Sequence, residues 1–440
     1  MSQPNHRVVH PSVRIAVHPS LRDSVHPSLR ISPRFTFVTV AASLLFAVDG
    51  WAQRPVLPAA VAVIDSADPV ALLVARLDLE RYKATILGLT TFGDRRQGTD
   101  RNRAAVDWIE AQLKSYGCSN VERITYEYQP PAPTPRPATP AVASTTATRP
   151  AAAQGGGRPR GIRTRTGVNA DSLAQPDATL RALNAQASTP GSRQQVYCTK
   201  TGSTKPDEMY IVGAHMDGIG WGEAANDDGS GTALVMELAR VFSNPDVQTE
   251  RSVRFILFNN EESGLNGARA YVAQRQALQG QETPAGSGRF PEPRWLGMIQ
   301  HDMMLFDHGM PLADGTMPKE QRPEADVNIE FQSMAKQAAG AQTLAWIFHA
   351  ANEKYATDYP ASVGSHMTNT DSGPFQDLVP SISLRENERG AQIGSGWDPH
   401  WHQPTDKFST FGDKDFRLGL NAAQTTLGAV ATLAGAKLGK

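Results

Sequence analysis

The chain has 440 residues, 43 Lys and Arg against 44 Asp and Glu, 40% hydrophobic residues and only 2 Cys. A formal net charge of -1 lacks the basic excess of a nucleic-acid or membrane-surface binder. Two Cys exclude a disulfide-dense scaffold, a Cys-rich zinc site and an iron–sulfur cluster, so any metal must be held by His, Asp and Glu.

Near-copies of an eight-residue unit begin at Val9, Val17 and Val25, each containing His-Pro-Ser. A proline in every copy excludes helix, and the unit offers nothing to build a core, so it reads as a basic leader rather than a metal-binding repeat. An apolar run over 35–48 follows Arg30 and Arg34 and exits through Gly50-Trp51-Ala52. That order is a secretory signal, and residues 1–52 are expected to be lost near Ala52, leaving a secreted or periplasmic protein. No other stretch approaches the length of a membrane span, so the mature protein is expected to have none. Export makes a Cys118–Cys198 disulfide conceivable.

Residues 53–128 are expected to form the first part of the catalytic domain. Val106, Ile109 and Leu113 give helical spacing over Ala105 to Tyr116, and Asn120 to Tyr128 alternates like a strand. Residues 129–195 carry ten Pro, eight Arg, two Asp and a Gly155-Gly156-Gly157 run, which predicts a low-complexity insertion and a mobile surface loop. Residues 196–440 are expected to form the main part of the domain. Strands are expected over Met209 to Ala214, Val253 to Phe258, Leu296 to Gln300 and Ser381 to Leu384. Helices are expected over Ser230 to Phe242, Ser263 to Gln274 and Gly419 to Ala434. Alternating strands and helices predict an α/β fold with a mixed, largely parallel sheet flanked by helices on both faces. In such sheets chemistry gathers beyond the carboxyl ends of the strands.

Metal-competent residues fall at those places. Ala214-His215-Met216-Asp217-Gly218 follows the first of these strands, and Asn226-Asp227-Asp228-Gly229-Ser230-Gly231 opens a helix. Asn260-Glu261-Glu262-Ser263 and Gln300-His301-Asp302-Met303 follow the next two strands, and His400-Trp401-His402-Gln403-Pro404-Thr405-Asp406 lies near the end. Alone, each has a plainer reading: a turn with a helix cap, a charged first helical turn, a surface loop. Together, in this order, they resemble the co-catalytic di-zinc exopeptidases of the bacterial leucine aminopeptidase, aminopeptidase S and aminopeptidase Y type. The resemblance runs from about Leu73 to the C-terminus, interrupted by the insertion.

The resemblance implies the zinc-dependent exopeptidase fold, two zinc ions per chain and peptide or protein N-termini as substrates. His215, Asp227, Glu262, Asp302 and His402 match the metal ligands, with Asp227 bridging, His215 and Asp302 on one ion, and Glu262 and His402 on the other. Glu261 matches the general base and Asp217 the carboxylate that orients the His215 imidazole. The resemblance also implies a cis peptide bond at Asp227–Asp228. His301, His308, His349, His366 and His400 read as structural or exposed.

One segment departs from the family pattern. Ser-Asp-His-x-x-Phe is replaced by Thr370-Asp371-Ser372-Gly373-Pro374-Phe375, so the histidine is missing from a segment that shapes the substrate pocket. Met303, Met304, Trp397 and Trp401 are candidate pocket residues. The leading expectation is a secreted zinc aminopeptidase. The alternatives are a carboxypeptidase or dipeptidase that grips a carboxylate with Arg385 or Arg389, a glutaminyl cyclase, and a non-catalytic binding module.

Overall fold

The structure is a computed structural model that describes residues 67–130, 167–306, 327–365, 369–386 and 398–439. The expected leader and signal sequence, most of the expected low-complexity tract, His308, His366, Arg389 and Trp397 lie outside these residues. No helix among the described residues is long and apolar enough to cross a membrane.

In chain order the elements are α1 (Pro69–Val74), α2 (Leu79–Thr90), α3 (Asp100–Ser115), β1 (Glu122–Tyr128), α4 (Ala178–Asn184), β2 (Gly191–Lys200), β3 (Lys205–His215), α5 (Gly229–Phe242), β4 (Val247–Gln248) and β5 (Arg251–Phe258). Then follow α6 (Asn266–Arg275), β6 (Arg294–His301), β7 (Val327–Phe331), α7 (Ala338–Tyr355), β8 (Ala361–Gly364), β9 (Ser381–Arg385), α8 (Asp413–Ala434) and β10 (Lys437–Leu438).

Eight strands form one sheet in the order β1-β2-β5-β3-β6-β9-β7-β8. The centre, β5-β3-β6-β9, is parallel, while β1-β2, β2-β5 and β9-β7 are antiparallel. This is the expected mixed, largely parallel arrangement. Successive side chains of a strand point to opposite faces, and each face has its own core. Val212, Ala214, Phe255 and Leu257 join α1, α2, α3, α5, α7 and α8 in the larger core. Met209, Ile211, Ile256 and Phe258 join Tyr271 of α6, Trp295 and Phe375 in the smaller one.

The expected strands and helices appear, most of them longer by a few residues at an end. The insertion needs a correction at its C-terminal side: its expected boundary at residue 195 falls inside β2, and residues 178–184 are helix α4. Asp177 caps that helix by accepting from the Thr179 and Leu180 backbone N–H groups. Cys118 and Cys198 form a disulfide with a Cα–Cα distance of 6.2 Å, joining the segment after α3 to β2.

Candidate metal centre

Strand register brings the expected residues to one edge of the sheet. β3 pairs with β5 so that His215 lies opposite Phe258, and with β6 so that Gly213 lies opposite Gln300. The residues just beyond these strand ends, Asp217, Glu261, Glu262 and Asp302, therefore emerge side by side. Asp227 enters from the turn before α5, where the Asp227–Asp228 peptide is cis. The Asp228 carboxylate caps α5 by accepting from the Gly231 N–H at 2.8 Å. Its other oxygen accepts from the His215 N–H at 3.1 Å, so this one side chain ties the α5 turn to the end of β3. Asn260, Met303 and His402 adopt left-handed backbone conformations, with φ of 66°, 63° and 56°. Such conformations are uncommon for residues other than glycine and mark tightly constrained turns.

The Asp227 carboxylate stands between two imidazoles. Its Oδ1 is 3.3 Å from His215 Nε2, and its Oδ2 is 3.0 Å from His402 Nε2. Asp302 Oδ1 lies 3.8 Å from His215 Nε2, and Glu262 Oε2 lies 2.9 Å from His402 Nε2. Ligand atoms of His215, Asp227 and Glu262 cluster within 4.8 Å of one another, as do those of His215, Glu261 and Asp302. The donors are imidazole nitrogens and carboxylate oxygens, a set suited to zinc. Glu262 Oε1 is buried without a hydrogen-bond partner, an arrangement that costs energy unless a cation takes the lone pair. These residues thus fit a pair of metal ions.

The acidic crowding shows in the titration behaviour. Burial pulls the His215 imidazole down, but Glu261, Asp227 and Asp302 push it well above its ordinary value. Burial also opposes protonation of His402, which Glu262 and Asp227 raise to about 11. Burial and the neighbouring Asp227 charge push the Glu262 carboxyl up to about 7. Glu261 is likewise pushed well up, by burial first and then by Glu262 and Asp371. On the far side, the buried Arg385 guanidinium sits 2.8 Å from Asp302 Oδ2 and 3.6 Å from Glu330.

The site opens into a cleft of about 410 Å³ lined by His215, Asp227, Glu261, Glu262, Gly264, Asp302, Met303, Asn369, Trp401 and His402. Met303 and Trp401 are there as expected, while Met304 belongs to the core. Ser372, the residue at the departure from the family pattern, is buried and pairs with Ser383 at 2.8 Å, away from the cleft lining. Its neighbour Asn369 lines the cleft instead.

Two expectations change. Asp217 does not orient His215 through its carboxylate: the imidazole Nδ1 lies 2.9 Å from the Asp217 backbone carbonyl, and the nearest carboxylate oxygen is 3.9 Å away. The carboxylate accepts from the Glu261 N–H at 3.0 Å and so holds the Glu261 loop. Arg385 is committed to Asp302 and Glu330 inside the protein and is not presented to a substrate. His301, His349 and His400 stay out of the cleft. Of these, His301 is buried between Gly213 and Thr426.

Other residues of the surroundings carried no assigned role in the sequence. Asp406 accepts from the Asn226 and Asp227 N–H groups at 2.8 and 3.1 Å, fixing the bridging carboxylate's backbone. Asn226 donates to Glu386 and Asp398 at 2.8 and 2.9 Å. Arg95 is wholly buried and donates to the Met216, Glu223 and Ala224 carbonyls on the loop between His215 and Asp227. Asp406 follows His402 by four residues, a signal that could have found it. The others come from distant segments without a motif.

Residues 195–418 match the signature of Peptidase family M28. Among curated relatives, a probable lipoprotein aminopeptidase LpqL of Mycobacterium tuberculosis is 28% identical over 257 residues, 57% of this chain and 47% of that protein. Aminopeptidase YwaD of Bacillus subtilis is 43% identical over 67 residues, 15% of this chain and 14% of that protein. The chain thus spans less than half the length of these relatives. Among solved structures, BSAP, a zinc aminopeptidase from Bacillus subtilis, is similar with a TM-score of 0.53 and 16% identity, covering 81% of this chain and 95% of that one.

Proposed function

The chain belongs to Peptidase family M28, and from that premise we propose that it is a secreted di-zinc aminopeptidase hydrolysing the N-terminal peptide bond of peptides or proteins. The observation that carries the choice of an N-terminal substrate is the charge of the cleft. Among the described residues its wall holds Asp227, Glu261, Glu262 and Asp302 and no Lys or Arg. Bound zinc ions would neutralise three of these carboxylates, so what separates the readings is the missing cation: a free substrate carboxylate finds no Lys or Arg on this wall to pair with. A carboxypeptidase needs a cation at this surface, and Arg385 is already paired with Asp302.

In this reading His215 and Asp302 would hold one zinc, Glu262 and His402 the other, and Asp227 would serve both. When bound, two zinc ions supply Lewis-acid polarisation of the scissile carbonyl and lower the pKa of the attacking water. Glu261 accepts that water's proton and delivers it to the leaving amine. Burial holds the Glu261 carboxyl above its ordinary range, which favours its taking up a proton. Asp217 keeps the Glu261 backbone in place, and Arg385 balances the Asp302 charge behind the site. Residues 53–128 and 196–440 are proposed as the two parts of the catalytic domain, together with the ordered segment 167–195. Cleavage of the leader near Ala52 is proposed to precede activity.

The test compares an aminoacyl anilide bearing a free amine with its N-acetylated twin and a C-terminally amidated peptide. Turnover of the free-amine anilide and the amidated peptide is expected, with none of the acetylated compound. Cleavage of the acetylated compound at a comparable rate would overturn the aminopeptidase reading.

A further inference from the structure

His402 is held differently from His215. A metal-ligating imidazole ordinarily donates its second nitrogen to a carbonyl or carboxylate, which fixes the ring. His215 has this support from the Asp217 carbonyl, 2.9 Å from its Nδ1. His402 Nδ1 is buried with no hydrogen-bond partner. Its ring stacks on Trp401 at a centroid distance of 4.0 Å; apart from Nε2, which faces Asp227 and Glu262, its aim depends on its own backbone, which is left-handed at φ 56°.

That backbone is gripped by the segment returning from the Arg- and Pro-rich tract. The Asn169 N–H donates to the His402 carbonyl at 3.0 Å, and the Gln403 side chain donates to the Gly167 carbonyl at 2.9 Å. Gln175 is fully buried, and its Nε2 donates to the Trp221 carbonyl at 2.7 Å and the Pro404 carbonyl at 3.0 Å. Trp221 lies on the loop between His215 and Asp227, and Pro404 is two residues beyond His402. One carboxamide therefore ties the two loops that carry ligands to both proposed ions. Its Oε1 accepts from the Asp177 N–H at 3.1 Å, so the amide's orientation is set by the cap of α4. The two loops touch closely enough to require glycine. A Cβ at Gly220, where φ is 99°, would come within 2.3 Å of the His402 carbonyl carbon.

We propose that residues 167–175 form a strap that positions His402, with the Gln175 carboxamide as the positioning group. The strap acts first on one of the two proposed metal positions, because the Asn169, Gln403 and Pro404 bonds end on the His402 turn, whereas the bond to Trp221 falls six residues from both His215 and Asp227 and His215 keeps its own support from the Asp217 carbonyl. This rests on the assignment of His402 as a zinc ligand, and the test separates the two claims. Chelator competition on the full chain reads how tightly each ion is held. The wild-type protein is expected to hold two zinc ions, and a wild-type stoichiometry below two would overturn the metal assignment itself.

With two ions in the wild type, Gln175→Met is expected to weaken one ion roughly 10–100-fold, the usual range for loss of a group supporting a ligand. The other ion is expected to keep its wild-type affinity and to match the single ion retained by His402→Ala. Thermal midpoints of the metal-stripped proteins check that each variant folds. Asn169→Pro, on the more exposed part of the strap, deletes the N–H that holds the His402 carbonyl and is expected to give the same split if Gln175→Met does not fold. Equal weakening of both ions, or unchanged affinity for both, would overturn the strap.

Discussion

Replacing Arg95 with Met tests how the loop between His215 and Asp227 is held. The guanidinium has no carboxylate partner in hydrogen-bonding contact; it donates to the Met216, Glu223 and Ala224 carbonyls at 2.7, 2.8 and 2.7 Å, and at longer range to the Gly93 and Leu89 carbonyls at 3.2 and 3.4 Å. Each buried carbonyl left unpaired costs about 1–3 kcal/mol. The Ala224 carbonyl keeps a second donor, the Gly229 N–H at 3.1 Å, and Met does not incur the desolvation of a buried charge. Both effects hold the expected loss to about 3–5 kcal/mol rather than the full sum. For a domain of about 300 residues each kcal/mol moves the thermal midpoint by roughly 1.5 °C, so Arg95→Met is expected to melt about 5–7 °C lower. Calorimetry of the metal-stripped wild type and variant measures this without contribution from bound ions. A drop under about 2 °C would refute the account, because it would mean that the carbonyls find other partners at little cost.

Two further predictions follow from buried groups. Burial pulls the His301 imidazole down to about 4, below its ordinary value of 6.5, so the fold favours the neutral ring. Its contribution is complete above about pH 6.5 and is lost as pH falls toward 4, amounting to about 3 kcal/mol over that window. The midpoint difference between wild type and His301→Gln should therefore shrink on acidification, and parallel pH profiles would contradict it. The Cys118–Cys198 disulfide spans a sequence separation of 80, and the Cys118→Ala, Cys198→Ala double variant is expected to lose roughly 2–4 kcal/mol in denaturant unfolding. A loss under about 0.5 kcal/mol would show that the crosslink constrains little in the unfolded chain.

Four of the proposed ligands were legible because each stands at a strand end or opens a helix, where backbone geometry converts short motifs into convergent side chains, whereas His402, on the loop between β9 and α8, was legible only through the family resemblance. His215, Asp227, Glu262, Asp302 and His402 come together as expected. Side-chain direction was not legible. Spacing places Asp217 near His215, but only the fold decides that its carbonyl meets the imidazole and its carboxylate meets Glu261. Arg385 reads in sequence like any surface arginine, and it becomes a buried partner of Asp302 through the parallel pairing of β9 with β6, which sets Leu384 opposite His301. The α7 helix was missed because its alanine-rich sequence gives little contrast between its faces. Composition also concealed α4 and the strap, since Pro, Thr and Ala around them match the tract before. Asp177 ahead of Ala178-Thr179-Leu180 was the available capping signal.

The central claim is that two zinc ions sit beside a glutamate that moves the proton and is not itself a ligand. Measuring zinc content and turnover of the free-amine anilide for Glu261→Gln tests it most directly. The account predicts two zinc ions per chain in both wild type and variant, with turnover reduced at least about 100-fold by loss of the general base. Turnover within a few-fold of wild type at full zinc content would contradict it.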